Sequence, residues 1–280
     1  MPKPSLFKCP VCSRVLFEDK TRYYCQRGHS FDIAREGYVN LLLPNHIGSG
    51  NPGDDKQMIQ TRRDFLNQGY YQEFSDQVNR IVSQILLCRR SDQPIAILDA
   101  GCGEGYYTCR LKKHLESLPT AGPLDIYGVD VSKEAVRFAS KRSREIHFAV
   151  ASVYHLPVLE NSMDCIISLF APRDEESFRT VLRPKGTLIV AAPGENHLYS
   201  LRKALYDTPA PIGERGTVQD GFTLVDEINV AYNIHLKANQ DLLNLLMMTP
   251  YSRHTNAEEI ERLKTVKGFV TEVDIRIRVY

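Results

Sequence analysis

Four side chains near the start of the chain have the spacing of a metal site. Cys9, Cys12, Cys25 and His29 form the pattern C-x₂-C-x₁₂-C-x₃-H, in which two short turns each present a pair of ligands. Three thiolates and one imidazole suit Zn²⁺, which binds sulfur and nitrogen donors in tetrahedral geometry. Because four protein ligands leave no open position for a water molecule, we predict one structural zinc ion. The alternative is four unrelated polar residues in a disordered segment.

A second group of residues could hold a nucleotide-like ligand. The segment Asp99-Ala100-Gly101-Cys102-Gly103-Glu104-Gly105 follows an apolar run and precedes a predicted helix. Its glycines allow a tight turn and close backbone approach to a ligand at the start of that helix. The third glycine of a dinucleotide G-x-G-x-x-G loop would fall on Tyr106. The segment instead resembles the first motif of S-adenosylmethionine-dependent methyltransferases, whose acidic end lies near the ammonium of the methionine moiety.

The next two apolar runs end in further candidate residues. Asp130 ends the first of them, where a carboxylate can accept hydrogen bonds from both ribose hydroxyls. The second is followed by Ser152 and Val153, where methyltransferases commonly carry an acid near the adenine. Because this chain has a serine there, we expect the backbone of Ser152 and Val153 to recognise the adenine.

The segment Leu169 to Arg173, after the fourth apolar run, should face the methyl acceptor. It lacks the N/D-P-P-Y/F motif of adenine and cytosine amino methyltransferases. Pyrimidine carbon-5 methyltransferases need a cysteine nucleophile, and the nearby cysteines lie in the glycine loop, on its helix and at a strand's beginning (Cys102, Cys109 and Cys165). Asp174 and His155 lie near predicted strand ends, but a surface acid and a loop histidine are the simpler interpretations. The sequence therefore leaves the catalytic base unidentified.

The elements that must position these residues alternate between strand and helix. Apolar runs occur at 95–100, 125–129, 146–150, 164–170 and 187–192, with helical stretches at 106–118, 133–141 and 175–182. This alternation predicts an α/β fold with a doubly wound, mostly parallel sheet that binds ligands at the carboxyl ends of its strands. Two helices are predicted before it, at 56–67 and 72–88. Residues 271–280 alternate like an edge or antiparallel strand.

A segment rich in glycine and proline suggests where the chain divides into domains. Residues 44–54 contain three glycines and two prolines, so we predict a zinc ribbon at 1–43, a linker at 44–55 and a catalytic domain at 56–280. Residues 1–40 carry seven basic and four acidic side chains among aromatic ones, a combination that can contact RNA phosphates and bases. Equally, the aromatic residues could simply fill the core of the ribbon.

Composition excludes several classes of protein. The net charge of +1 does not by itself indicate a nucleic-acid binder. No apolar run approaches the ~18 residues of a membrane span, so we expect no membrane partner. The N-terminus lacks a signal-peptide core, and seven cysteines, an odd number, argue against a secreted disulfide framework. The expected compartment is therefore the cytoplasm.

The order of motifs resembles one family over nearly the whole chain, the bacterial 23S ribosomal RNA (guanine-N1)-methyltransferases that act in the helix 35 hairpin. The resemblance rests on the four metal ligands, the segment 31–42, the Gly69-Tyr70-Tyr71 turn, the glycine loop, Phe170-Ala171-Pro172 and Pro193-Gly194 with His197-Leu198. It implies an N-terminal zinc ribbon that helps to bind 23S ribosomal RNA, followed by a Rossmann-like class I methyltransferase domain. It also suggests a homodimer, and Arg173 after Pro172 looks closer to the branch linked to macrolide susceptibility.

The resemblance also implies roles for individual residues. Tyr71, Gly103, Glu104 and His197 would contact S-adenosylmethionine, and Asp130 would bind its ribose. The cofactor residues expected from motifs and resemblance together are Tyr71, Asp99, Gly101, Gly103, Glu104, Gly105, Asp130, Ser152, Val153 and His197. Two other functions remain open: a small-molecule methyltransferase that carries a zinc ribbon, and a nonenzymatic zinc-ribbon RNA-binding protein.

Overall fold

Two β-sheets organise the chain in the computed structural model. The structure describes residues 3–44, 55–87, 94–118, 123–206, 208–213, 217–218, 221–266 and 268–280. The first sheet is antiparallel and contains β1 (Lys3–Lys8), β2 (Val15–Glu18), β3 (Arg22–Tyr24) and β4 (Ser30–Asp32), in that order. The turn between β1 and β2 and the turn between β3 and β4 carry the predicted metal ligands. This small sheet is the zinc ribbon expected from the sequence.

The chain passes from the ribbon into the second sheet earlier than the sequence suggests. Strand β5 (Tyr38–Asn40) lies parallel to β8 (His147–Val150) and forms one edge of the large sheet. The residues just before the predicted boundary at 43 thus belong to the large sheet by hydrogen bonding. The division at 43 and 56 stays a prediction, and residues 45–54 of the predicted linker lie outside the described residues.

The large sheet has the doubly wound, mostly parallel architecture that the alternation predicts. Its order is β11-β12-β10-β9-β6-β7-β8-β5. Strands β5 to β10 pair in parallel, whereas β12 is antiparallel to both β10 and β11. The remaining strands are β6 (Ile95–Ala100), β7 (Leu124–Asp130), β9 (Met163–Leu169), β10 (Leu182–Pro193), β11 (Asp226–Leu236) and β12 (Phe269–Val279).

Eight α-helices accompany the strands in the described part of the chain: α1 (Lys56–Asn67), α2 (Gln72–Leu87), α3 (Tyr106–Glu116), α4 (Lys133–Arg142), α5 (Glu175–Val181), α6 (Tyr199–Leu205), α7 (Asn239–Met247) and α8 (Ala257–Thr265). Local signals set several of their ends. Asp55 accepts a hydrogen bond from the Met58 N–H at the start of α1, and Ser132 accepts one from the Ala135 N–H at the start of α4. No helix among the residues described is long and apolar enough to cross a membrane.

The last strand is antiparallel, as one of the two sequence interpretations proposes, but it does not form an edge. Strand β11 pairs with β12 along its whole length, from Asp226 opposite Val279 to Leu236 opposite Phe269. This pairing places β12 between β11 and β10, and most of its side chains are buried. The edge interpretation is wrong because β11, whose alternating polar positions remain exposed, pairs with the outer side of β12 and forms the edge itself.

The ribbon is packed directly on the large sheet. Phe7 of β1 is fully buried and its ring centroid lies 5.0 Å from that of Tyr127 in β7. Two backbone hydrogen bonds of 2.9 Å, from Lys8 N–H to the Pro157 carbonyl and from Leu159 N–H to the Leu6 carbonyl, join β1 to the segment after β8. The ribbon and one face of the sheet therefore share a single hydrophobic core.

Candidate active site and metal centre

The four predicted metal ligands converge. Their ligand atoms all lie within 4.8 Å of one another. The Sγ atoms of Cys12 and Cys25 are 3.6 Å apart, and Nδ1 of His29 lies 3.5 Å from Sγ of Cys9 and 3.4 Å from Sγ of Cys25. A tetrahedral zinc ion with bonds of ~2.3 Å to sulfur and ~2.0 Å to nitrogen requires edges of about 3.8 Å between sulfurs and about 3.5 Å from sulfur to nitrogen. The donor set therefore fits one zinc ion, with Nδ1 as the histidine donor.

The glycine loop connects β6 to α3 at the carboxyl edge of the large sheet. Gly101, Gly103 and Gly105 all have positive φ, a region that favours glycine. A Cβ at Gly101 would lie 2.3 Å from Cβ of Ala171, and one at Gly105 would lie 2.9 Å from Cβ of Ala139. At Gly103 a Cβ would meet no atom within 4 Å. The loop is thus packed at both ends and open at its centre, where a ligand can approach the backbone.

Asp130 joins this loop to the two neighbouring strand ends. Its Oδ2 accepts the Gly103 N–H at 3.0 Å and its Oδ1 accepts the Ser132 N–H at 2.8 Å. A carboxylate oxygen can accept more than one hydrogen bond, so Asp130 could also accept one from a ribose hydroxyl. The Asp130 carbonyl accepts the Ala151 N–H at 2.9 Å, which brings the buried residues Ser152 and Val153 next to it. The structure therefore brings together three groups that are separated in sequence.

Asp99 is the buried acid of the glycine motif. It is only 2% exposed, and Oγ1 of Thr108 donates to its Oδ2 at 2.5 Å, which ties α3 to the end of β6. Burial raises the pKa of Asp99 to about 7, the charge of Asp130 adds to this rise, and the Thr108 hydrogen bond opposes it. A cation bound nearby would favour the ionised form, so this carboxyl fits an ammonium ligand.

Tyr71 and His197 meet across the site, although they are far apart in sequence. Oη of Tyr71 lies 3.3 Å from Nε2 of His197, and the Nδ1 of His197 accepts the backbone N–H of Asp274 at 3.2 Å. Burial lowers the pKa of His197 to about 4, so the ring is neutral at physiological pH. Because Nδ1 is an acceptor, Nε2 carries the hydrogen and donates it to Tyr71. The tyrosine hydroxyl can then donate to a ligand, whereas Nε2 cannot accept a proton.

Glu104 lies in the loop but its side chain turns toward α1 and α4. Its Oε2 is 2.5 Å from Nη2 of Arg142 and 3.9 Å from Nη1 of Arg63. Burial raises the pKa of Glu104, and the charge of Arg142 opposes that rise. Its other oxygen, Oε1, is buried without a hydrogen-bond partner. A hydroxyl or amino group of a bound cofactor would satisfy this oxygen, so the predicted cofactor contact has an atom available to make it.

Among the residues that the structure describes, the acceptor side shows no better candidate for a base than Asp174 and His155. Asp174 is the N-cap of α5, where it accepts the Ser177 N–H at 3.2 Å, and His155 is exposed at the end of a short 3₁₀ turn. Of the four cysteines outside the metal-ligand set, Cys102, Cys109 and Cys165 are buried, and Cys88 lies outside the described residues. Burial raises the pKa of Cys102 and raises that of Cys109 to about 12, which disfavours a thiolate nucleophile.

Sequence reasoning missed several residues that support this site. Thr108 and Arg142 hold Asp99 and Glu104, and the ring of Phe74 joins a group of aromatic side chains around Phe170. The position of Thr108 one helical turn beyond the glycine loop is a local signal that could have indicated its contact. The partners of Arg142 and Phe74 are distant in sequence, and no local pattern marks them.

Comparison with known proteins decides the family. The zinc-ribbon model described as RlmA, N-terminal matches residues 7–48, and a methyltransferase-domain model matches residues 97–186. A putative 23S rRNA (guanine-N(1)-)-methyltransferase of Micromonospora griseorubida is 32% identical over 89% of this chain and 87% of its own length. The chain belongs to the 23S rRNA (guanine-N1)-methyltransferase family.

Two other relatives in this family agree. The putative 23S rRNA (guanine-N(1)-)-methyltransferase YxjB of Bacillus subtilis is 28% identical over 98% of this chain and 96% of its own length. The 23S rRNA (guanine(748)-N(1))-methyltransferase of Streptomyces fradiae is 32% identical over 71% of this chain and 67% of its own length. These matches confirm the predicted class of enzyme: an S-adenosylmethionine-dependent rRNA (guanine-N1)-methyltransferase with a zinc ribbon.

Proposed function

We propose that this methyltransferase transfers the methyl group of S-adenosylmethionine to N1 of a guanine in the helix 35 hairpin of 23S ribosomal RNA. The observation that carries the proposal is the direct packing of the zinc ribbon, through Phe7 and Tyr127, on the sheet that holds the glycine loop. An enzyme for small metabolites would have no use for this module. The relatives are named for 23S rRNA and for N1 of guanine, and we take the proposed substrate and the modified atom from them.

The cofactor residues have complementary roles in this proposal. Asp130 binds the ribose hydroxyls, and the backbone of Ser152 and Val153 borders the adenine. Asp99 attracts the ammonium of the methionine moiety, and the Tyr71 hydroxyl, held by His197, donates to its carboxylate. The open space at Gly103 lets the loop backbone contact the cofactor closely, and Gly101 and Gly105 keep the loop packed around it.

The protein contributes mainly by positioning. S-adenosylmethionine supplies a methyl group that is already activated by its sulfonium. Holding the acceptor nitrogen in line with this group can contribute as much as ~7–11 kcal/mol of the barrier reduction. Guanine N1 carries a proton at neutral pH, which must leave as N1 is methylated. A paired target guanine must also be extruded, at a cost of a few kcal/mol that RNA contacts with the basic ribbon would offset.

The finer assignments follow from the same proposal. The Streptomyces fradiae relative is named for guanine 748, and because Phe170-Ala171-Pro172-Arg173 looks closer to the macrolide-linked branch, we propose the same guanine for this chain. We also propose a homodimer, in which two zinc ribbons frame the RNA, and a location in the cytoplasm with the ribosomes. Light scattering of the purified protein tests the dimer directly.

The decisive experiment is methyl transfer to unmodified 23S ribosomal RNA. Purified enzyme and radiolabelled S-adenosylmethionine are mixed with the isolated helix 35 hairpin, with the same hairpin carrying adenine in place of guanine 748, and with a pool of small metabolites. We expect label only in the guanine hairpin, and a primer-extension stop there because N1 lies on the base-pairing edge. Labelled metabolites with unlabelled RNA would favour a small-molecule enzyme, and RNA binding without transfer would favour a nonenzymatic RNA-binding protein.

A further inference from the structure

Phe170 occupies an unusual backbone conformation at the acceptor side of the site. It is the first residue after β9, and its φ of +57° lies in the left-handed region that bulky side chains rarely adopt. Its N–H donates to the Ala191 carbonyl of β10 at 3.0 Å, which fixes the turn. Strained conformations of this kind cluster at sites of function.

The conformation places the ring at the surface of an aromatic group that is otherwise largely covered. The Phe170 centroid lies 5.3 Å from that of Phe74, 6.5 Å from that of Tyr71 and 6.3 Å from that of His197, to which it is nearly parallel at 27°. Phe74, Tyr71 and His197 are buried, with exposures of 0%, 3% and 6%, whereas Phe170 is 39% exposed. The group therefore supports Phe170 from the protein side and leaves part of its apolar surface accessible.

The exposed ring also lies beside the cofactor loop. Ala171, the next residue, is the neighbour that excludes a Cβ at Gly101, so the turn containing Phe170 packs against the start of the loop. The ring also contacts Tyr71 and His197, the pair proposed to bind the methionine moiety. If Tyr71 and His197 hold the methionine moiety as proposed, the exposed face of Phe170 would border the side from which the acceptor enters.

We propose that the exposed face of Phe170 stacks on the target guanine; this inference rests on the proposed function. An extruded base loses its stacking in the RNA, and an aromatic side chain can replace it. Stacking also fits the geometry of the reaction. The lone pair that remains on N1 after the proton leaves lies in the plane of the ring, so the methyl group must approach edge-on. A platform on the face of the base holds that plane without blocking N1.

The test compares Phe170→Leu, which removes the ring but keeps an apolar side chain, with Phe170→Tyr, which keeps the ring. Phe222→Leu is the matched control, because Phe222 is also partly buried against an aromatic residue, Tyr280, but packs in the core on the other face of the sheet. Three quantities are measured for each: kcat/KM for the helix 35 hairpin, Kd for S-adenosylmethionine, and Tm. Each variant is compared with the wild-type enzyme.

We expect Phe170→Leu to lower kcat/KM roughly five-fold to a hundred-fold, the loss of one base–aromatic stack, with the cofactor Kd within two-fold of wild type. Phe170→Tyr and Phe222→Leu should stay within about three-fold. Full turnover of Phe170→Leu would refute the proposal, and so would a matching loss of cofactor affinity, because the ring would then support the cofactor. If Phe170→Leu fails to fold, Phe170→Asn replaces it, since asparagine tolerates positive φ. A wild-type enzyme that does not methylate the hairpin would instead refute the proposed function.

Discussion

Removing one zinc ligand should destabilise the catalytic domain as well as the ribbon. In Cys25→Ala the metal is lost, and without the ~10–16 kcal/mol that a structural zinc supplies, a module of this size does not fold. The fully buried Phe7 then leaves its place against Tyr127. This withdrawal resembles a Phe→Ala substitution in a core, which costs about 3–5 kcal/mol. At 2–4 °C per kcal/mol, we expect the Tm of the catalytic domain to fall by roughly 6–20 °C.

Calorimetry with a parallel zinc determination tests this reasoning. Cys109→Ala is the matched control, because Cys109 is a buried cysteine of α3 outside the ligand set and should keep one zinc per chain. We expect Cys25→Ala to bind S-adenosylmethionine at low temperature, since the cofactor loop keeps its own contacts. An unchanged Tm for the catalytic transition would show that ribbon and sheet are independent, and retained equimolar zinc would show that the ligand set is wrong.

Three further predictions concern the cofactor site. Gly103→Arg should abolish S-adenosylmethionine binding in a calorimetric titration, whereas Gly268→Arg, at an exposed glycine with equally positive φ and open space, should bind normally; equal affinities would refute the loop assignment. If binding requires ionised Asp99, whose pKa burial raises to about 7, cofactor affinity should rise about ten-fold from pH 6 to pH 8, and Asp99→Asn should remove that dependence. Tyr71→Phe removes the acceptor of the buried His197 Nε2–H and should lower the free energy of unfolding, measured in urea, by about 1–3 kcal/mol. Unchanged stability would contradict the assigned tautomer.

The same Asp99 carboxyl has an effect on the stability of the cofactor-free protein. Because its pKa is higher in the folded state than in the unfolded state, the folded state binds more protons at pH values between the two. The free energy of unfolding contributed by this group therefore falls as pH rises from about 4 to about 7. Bound cofactor should oppose that fall, so the stabilisation by S-adenosylmethionine should grow with pH over the same range.

Features that depend on short stretches of chain were predictable. The turns at Cys9 and Cys25 each close over a few residues, and the spacing of four ligands suffices to suggest tetrahedral metal binding. Helix α1 spans Lys56–Asn67, the predicted range, and Ser132, directly before the predicted helix at 133–141, caps α4. Strand β6 also matches its apolar run at Ile95–Ala100. In each case the signal and the structure it determines lie within one element.

Features that depend on distant partners were not predictable from one sequence. Strand β11 pairs with β12 through residues some forty positions away in the chain, and its exposed alternate positions gave only a weak apolar signal. The position of β5 in the sequence places it within the predicted ribbon, but its three residues pair with β8 of the large sheet. Phe170 appears in the sequence as one residue of a family motif. Its backbone hydrogen bond to β10 and its ring contacts with Phe74, Tyr71 and His197 involve residues from distant parts of the chain.

The sequence by itself determined the chemical groups of this protein: the zinc donors, the glycine loop proposed to bind the cofactor, and Asp130, the acid proposed to bind its ribose. Each motif carries its donor atoms at fixed local spacing. Only the tertiary structure decided how these parts act together. It joined the ribbon to the catalytic sheet through Phe7 and Tyr127, set the hydrogen-bonding direction of His197 through Asp274, and left Phe170 exposed beside the cofactor loop. These are contacts between residues far apart in the chain, and burial and hydrogen-bond satisfaction in the folded core fix them.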